Sequence, residues 1–404
     1  MNEINITEKE ALDFHSSPVG GTLEVSLKKK IVTQKDYSLA YTPGVAFPCK
    51  EIIKNPEAAY KYTSKGNLVG MISNGTAVLG LGNIGALASK PVIENKAALL
   101  KKFAGIDSFD IEINEPDPYK FIEIVEAISP TFGAINLEDI KAPDCFIIEQ
   151  ELQKRLNIPV MHDDQHGTAI VSSAALLNAL EIVNKKISEI KIVINGAGAA
   201  AIACANLYLS LGASLEKITM CDSKGVITQN RSDLNDFKKK FATKKNIKTL
   251  KEALVGADFF LGLSVANILS AEDIKKMGKN PIIFALANPD PEIPYNIALK
   301  SRPDAIIATG RSDFPNQINN ILGYPYIFKG ALEARAPHIT KNMQIAAVKA
   351  IAGVAKIEIE KNVMNAYNLP LNIKFGPLYI LPKMIDSRLL KSVSSAVKSA
   401  AISL

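Results

Sequence analysis

Short apolar runs alternate with amphipathic stretches along most of the chain. Runs at 69–72, 77–79, 109–113, 134–137 and 159–162 are too short for helices and lack a polar face, a pattern that predicts buried, parallel strands. Helical periodicity fills the intervals at roughly 91–103, 118–128 and 144–156. A longer helix is predicted from about 168 to 183, and a charged stretch then leads to a new strand at 192–194. The alternation resumes with strands at 218–221, 259–263, 282–286 and 305–308. Beyond residue 338 the pattern turns mostly helical, and from 385 to 402 Leu389, Leu390, Val393, Val397 and Ala400 recur at helical spacing. There is no internal repeat. The expected fold is α/β with two domains: a smaller N-terminal α/β domain over 1–165, and a Rossmann-like parallel-sheet domain with C-terminal helices over 166–404.

Composition narrows the classes. In 404 residues, 47% hydrophobic and 22% charged, the chain has ordinary globular character, so disorder is not expected. No window approaches 18 uninterrupted apolar residues and the first ten lack a secretory layout, which sets the expectation of a cytoplasmic protein without a membrane span. The net charge of +6 favours anionic ligands, but acids are interspersed and Trp is absent, so no nucleic-acid role is expected. Cys49, Cys145, Cys204 and Cys221 form no Cys-x-x-Cys pair and are expected to be buried small apolar residues. The runs Lys28–Lys30 and Lys238–Lys240 read as solvated faces.

Two predicted strands end in adjacent acids, Glu138-Asp139 and Asp163-Asp164. Open α/β sheets bind ligands at the carboxyl ends of their strands, so these four carboxylates point to one divalent cation, Mg²⁺ or Mn²⁺. The competing reading is that one pair only caps the next helix. His162 and His166 flank the second pair and offer either acid–base chemistry or support of the carboxylates. Lys96, in an otherwise apolar helical stretch, is a candidate base if burial beside a cation lowers its pKa, and a snorkelling lysine otherwise. Tyr41 precedes a Pro-Gly turn from which a phenol can reach a cleft, although a lone tyrosine more often packs in a core.

A strand running into Gly196-Ala197-Gly198-Ala199-Ala200-Ala201 has the G-x-G-x-x-A form of the dinucleotide turn, placed between strand and helix as that role requires. The first Gly permits the turn, the second admits the pyrophosphate, Ala201 allows close packing, and the helix start receives the phosphate charge. Asp222 ends the next strand, 24 residues after Gly198, where an acid bonds the adenosine ribose. Ser223 and Lys224 follow it and suit a 2′-phosphate, so NAD and NADP both stay open. Asn288, in Asn-Pro-Asp-Pro, and the group Asn316, Asn319 and Asn320 supply amides beside apolar runs. Each reads either as ligand contact or as a turn.

Together these segments resemble the malic enzymes of the bacterial type, from about residue 20 to the end. The resemblance is carried by Ser-Leu-Ala-Tyr-Thr-Pro-Gly-Val-Ala at 38–46, Gly-Thr-Ala-Val-Leu-Gly-Leu-Gly-Asn-Ile-Gly at 75–85 and Lys-Phe-Ala-Gly-Ile-Asp at 102–107. It continues through the two acidic segments, the Gly196 and Asn288 turns, and Ala-Thr-Gly-Arg-Ser-Asp at 308–313. The resemblance implies Tyr41 as general acid, Lys96 as general base, and Glu138, Asp139 and Asp164 as metal ligands. It further implies that Asp163 bonds Lys96 or the substrate, that Asn288 and Asn320 lie near malate and the nicotinamide, and that the protein is a homodimer or higher homo-oligomer. Phe47 departs from a usual acid and Asn95 from a usual Gly, both near proposed catalytic positions. Some bacterial relatives carry a C-terminal phosphotransacetylase-like domain, which is not expected here.

The function implied is metal-dependent oxidative decarboxylation of L-malate to pyruvate and CO₂ with reduction of NAD or NADP. A metal-independent hydroxy-acid or amino-acid dehydrogenase is the enzyme alternative, distinguished by chelator resistance. A catalytically impaired nucleotide-sensing protein is the alternative from another class, distinguished by nucleotide binding without turnover.

Overall fold

The computed structural model describes residues 6–78 and 80–402. Two sheets organise it. The first has the order β2-β1-β3-β4, built from β1 (Leu68–Ser73), β2 (Asp107–Glu112), β3 (Ala134–Leu137) and β4 (Val160–His162), all parallel. Residues of β1, β3 and β4 are buried throughout, as expected of parallel strands covered on both faces. The second sheet has the order β10-β9-β8-β5-β6-β7. Its parallel strands are β5 (Ile192–Asn195), β6 (Ile218–Asp222), β8 (Phe259–Gly262), β9 (Ile282–Ala285) and β10 (Ile306–Thr309). The short β7 (Gly225–Val226) turns back antiparallel to β6.

Strand order reverses between β1 and β3 in one sheet and between β5 and β8 in the other. At such points the connections leave in opposite directions and open a crevice beyond the strand ends. Each sheet therefore offers a site at its carboxyl edge.

The predicted strand at 77–79 does not form. Val78 makes only an isolated bridge to Gly82, Leu79 lies outside the described residues, and the glycines at 75, 80 and 82 take positive φ, which bends the run into a turn. The helix expected from Pro91 begins earlier, spanning Ala86–Ala104 with Pro91 inside it. Pro91 removes the amide that would bond the carbonyl of Leu87, an exposed residue whose carbonyl water can serve. The helix expected from 168 also begins earlier, at Asp163, directly after β4. It runs to Val183 and packs against the helices Ala199–Ser210 and Lys341–Val354 on the second sheet's side. One helix thus joins the two sheets without a loop at its start. Among the described residues it is long and apolar enough to cross a membrane by length and composition, but 67% of that window is buried in the fold.

The C-terminal helix spans Arg388–Ile402 and buries Leu389, Val393 and Val397, whereas Leu390 stays partly exposed. Three cysteines are buried as expected and Cys49 is exposed. The N-terminal helices Glu8–Ser16, Gln34–Ala40 and Ala46–Lys54 bury no residue and display Leu12, Phe14, Tyr37, Leu39 and Phe47 to solvent.

Candidate active site

A cavity of about 860 Å³ lies between the carboxyl edges of the two sheets, reached by residues that follow β3, β5, β8, β9 and β10. Glu138, Asp139 and Asp164 enter it from the first sheet, and each offers an oxygen within 4.8 Å of the others. Asp139 takes a left-handed backbone conformation, φ 53°. Its carbonyl accepts from Ala77 N at 2.9 Å, and its own N–H donates to Asp164 Oδ2 at 2.8 Å, which ties the two acidic segments together. Asp139 Oδ2 is buried with no hydrogen-bond partner.

Burial and mutual repulsion push these acids up. Desolvation is the largest cause in each, followed by the neighbouring carboxylates for Asp139 and chiefly opposed by Lys96 for Glu138 and Asp164. Glu138 reaches about 7, Asp139 about 9 and Asp164 about 6. Three converging carboxylates, one with an orphaned buried oxygen, fit a hard divalent cation that would replace their protons. The capping alternative accounts for part of the geometry, because Asp163 and Asp164 occupy the first turn of a helix, but not for the convergence with Glu138 and Asp139.

Lys96 projects from the helix Ala86–Ala104 into the same cavity. Its Nζ lies 2.7 Å from Asp163 Oδ2 and 2.9 Å from Glu138 Oε1, and 4.9 Å from the centre of the Tyr324 ring. The Tyr324 hydroxyl donates to the Lys96 carbonyl at 3.0 Å. The expected lowering of the Lys96 pKa is absent in this arrangement. Burial disfavours the ammonium, but the Asp163 and Glu138 carboxylates outweigh it and hold the group well above its ordinary value. Asp163 is buried, raised to about 6 mainly by desolvation, and its Oδ1 has no hydrogen-bond partner. A Cβ on Gly167 would meet that oxygen at 1.9 Å, so this helix position admits only glycine if Asp163 is to face Lys96.

Neither histidine joins the cavity. His162 is fully buried and pushed down to about 4 by desolvation, with Nε2 3.5 Å from Asp164 Oδ2. His166 points away and its Nε2 lies 3.0 Å from Glu149 Oε2. Tyr41 is 75% exposed and does not line the cavity.

The second sheet supplies the Gly196 turn. Gly196 has φ 123°, and a Cβ there would meet the Leu263 carbonyl at 2.4 Å. Gly198 caps the helix Ala199–Ser210 and faces open space where a Cβ would stand, leaving room for a ligand to approach the helix start. Ala197 lines a neighbouring pocket of about 420 Å³, Ala199 lines the main cavity, and Ala201 is buried beneath the turn. Asp222, Ser223 and Lys238 line the smaller pocket. Asp222 accepts from both terminal nitrogens of Arg231 at 2.8 Å, from Lys238 Nζ at 3.1 Å and from Lys224 N at 3.0 Å. Lys238 is therefore part of a cationic cluster and not merely a solvated face. Glycines without a Cβ, a free helix start and a polar pocket beyond it fit a dinucleotide.

Asn288 and Asn320 both line the main cavity, as does Asn319, whose side chain also accepts from Ile321 N at 3.0 Å. Several contributors escaped the sequence reading. Asn136 donates to Glu138 Oε2 at 2.9 Å from within β3, signalled only as a polar residue in an apolar run. Tyr324 and Gly167 gave no local signal. Of the departures noted above, Phe47 is exposed, and the Asn95 side chain donates back to the Pro91 carbonyl at 2.7 Å.

A family model described as malic enzyme, NAD binding domain matches residues 165–368, and one described as malic enzyme, N-terminal domain matches residues 20–118. The NADP-dependent malic enzyme of Escherichia coli (strain K12) is 57% identical over 397 residues, covering 98% of this chain and 52% of that protein. This chain thus spans about half the length of that relative. The NADP-dependent malic enzyme of Halomonas elongata is 52% identical, with 97% of this chain and 93% of that protein covered. Among solved structures, the NAD-dependent malic enzyme of Thermotoga maritima matches with a TM-score of 0.86 and 43% identity over 98% of this chain and 99% of that one. Malic enzyme from Pyrococcus horikoshii gives 0.89 at 43% identity, covering 98% and 90%. With both sheets, the carboxylate cluster and the dinucleotide turn accounted for, the chain belongs to the malic enzyme family.

Proposed function

We propose that this protein oxidises L-malate to pyruvate and CO₂, with a divalent cation held by Glu138, Asp139 and Asp164. The observation that carries the reading is the placement of Lys96, bonded to Asp163 and Glu138, in one cavity with both the carboxylate cluster and the dinucleotide turn. When bound, the cation supplies Lewis-acid polarisation and the nicotinamide supplies the hydride acceptor. Lys96 is the base for the substrate's hydroxyl: a cation on Glu138 would engage one of the two carboxylates that hold the ammonium charged and would itself disfavour that charge, while the 2.7 Å hydrogen bond to Asp163 Oδ2 orients the amine. Asn320 and Asn288 orient the substrate and the nicotinamide by hydrogen bonding from the opposite wall. Tyr41 returns a proton to C3 of the product.

The last role requires Tyr41 to reach a cavity it does not line within one chain. The apolar N-terminal helices that bury nothing support a homodimer in which this arm packs on a second copy. The functional division is placed at residues 165 and 166, with 1–165 holding metal and substrate and 166–404 holding the nucleotide. NADP is the proposed cofactor over NAD, supported by Lys224, Arg231 and Lys238 outnumbering the acids Asp222 and Asp233 that pair with them. The proposed setting is the cytoplasm.

Malate-dependent reduction of NADP and NAD, followed by nicotinamide absorbance with Mn²⁺ and with a chelator, tests the reading. Chelator-sensitive reduction with stoichiometric pyruvate is expected. Lys96→Ala and Tyr41→Phe should each lower kcat by roughly 10²–10⁴-fold with the fold intact. Unchanged turnover in either variant rejects the role given to that residue.

A further inference from the structure

The wall opposite the carboxylates is a turn, and the turn is held from behind. After β10 the chain folds back on itself, Thr309 N donating to the Asn316 carbonyl at 3.0 Å and Ile318 N to the Thr309 carbonyl at 2.8 Å. Asn316 is buried and satisfied on all sides. Its Nδ2 donates to the carbonyls of Ile307 and Pro377 at 3.0 and 2.8 Å, and its Oδ1 accepts from Ile380 N at 3.0 Å. The segment that supplies Pro377 and Ile380 also supplies Lys383.

Lys383 is 3% exposed, and its Nζ donates to the Pro315 carbonyl at 2.6 Å, 5.2 Å from the centre of the Tyr367 ring. No carboxylate pairs with it among the described residues. Asp386, three residues on, is taken by Arg388 at 2.8 and 2.6 Å. Burial pushes the Lys383 ammonium down to about 8. An ammonium without an anion is among the costliest groups to bury, and a methionine would fill nearly the same volume without that cost. What the lysine adds is a charge-assisted, directional hydrogen bond to one carbonyl. That carbonyl opens the turn carrying Asn319 and Asn320 into the cavity. The same turn abuts the ligand-bearing helix, since the Asn320 Cβ would stand 2.8 Å from a Cβ on Gly167.

We propose that Lys383 is a positioning residue for substrate: through the Pro315 carbonyl it fixes the turn that presents Asn319 and Asn320 opposite Lys96. The inference rests on the reading of this cavity as the malate site. Lys383 touches no reacting atom itself, so its loss should weaken the hold on malate more than it slows the reaction of bound malate.

Lys383→Met and Lys383→Arg in the full chain, compared with wild type, test this. The methionine variant should raise KM for malate on the order of tenfold, the worth of one hydrogen bond to a charged group, with kcat and KM for NADP little changed. Its Tm should stay level or rise, and the arginine variant should recover part of the affinity. Amide hydrogen exchange across 313–322, read without substrate, should quicken in the methionine variant. An unchanged malate KM with unchanged exchange overturns the proposal, as does a joint fall of Tm, kcat and both affinities, which marks a merely structural lysine. If wild type does not oxidise malate, the proposed function falls, whereas the exchange comparison still decides whether Lys383 holds the turn.

Discussion

A methyl group at residue 167 would stand 1.9 Å from Asp163 Oδ1, so a single missing carbon decides whether that carboxylate can face Lys96. Gly167→Ala must either swing Asp163 away or bend the helix. Because misplacement of about 1 Å near reacting groups costs on the order of 10²-fold, kcat for malate should fall by that order while NADP binding is retained. Steady-state kinetics alongside nucleotide titration checks this, and an alanine variant with wild-type kcat would remove Asp163 from the mechanism. Glycine carried no such message in the sequence, where Asp-Asp-Gln-His-Gly falls between the strand predicted at 159–162 and the helix predicted from about 168. Helix interiors disfavour Gly by propensity, and at residue 167 the demands of the site override it, whereas Asp163 and Asp164 sit in the first turn, where acids are favoured. Lys238 was hidden differently. In a run of three lysines nothing marks the one that folds back onto Asp222.

At the scale of elements, the acids collect because parallel strands β3 and β4 are neighbours and end at one edge. That much was legible, since an apolar run ending in acids announces both strand and edge. The long helix was misjudged by five residues, and with it the place of Asp163 and Asp164 on its first turn. The run at 77–79 misled because hydrophobicity outweighed the flanking glycines. Gathering acids at an edge has a thermodynamic consequence. Glu138, Asp139 and Asp164 are held at about 7, 9 and 6, above the value near 4 of an unfolded chain. The folded state therefore binds more protons than the unfolded state from near pH 4 upward, and the stability these three acids contribute is lost as pH rises from about 4 through 9. Lys96, held above its ordinary value, stays charged throughout in the metal-free protein and does not reverse the trend, whereas Lys383, pushed down to about 8 by burial, opposes it above pH 8. Tm measured with chelator should decline between about pH 6 and 8. Mn²⁺ should raise Tm more at the alkaline end than at pH 6, and a metal effect independent of pH would contradict the assignment of these ligands.

For the whole molecule, the division into two sheets was readable from the alternation of elements, and the nucleotide turn from its strand-to-helix context. The N-terminal arm was not, because its exposed Leu12, Phe14, Leu39 and Phe47 are apolar side chains that none of the described residues buries. Sedimentation should find a dimer, and Leu12→Glu with Phe14→Glu should shift it towards monomer and lower turnover together. A monomer of full activity would place Tyr41 outside the reaction or require it to fold back within its own chain.

The loopless passage from β4 into the helix Asp163–Val183 makes that helix a lever with the acids at its fulcrum. Twenty-one residues at 1.5 Å each extend about 30 Å. A rotation of about 10° around the helix start would carry its far end, and the nucleotide sheet packed there, through about 5 Å, while Asp163 and Asp164 barely travel. A nucleotide half that pivoted there would move widely over the proposed substrate site while the proposed metal ligands stayed in place.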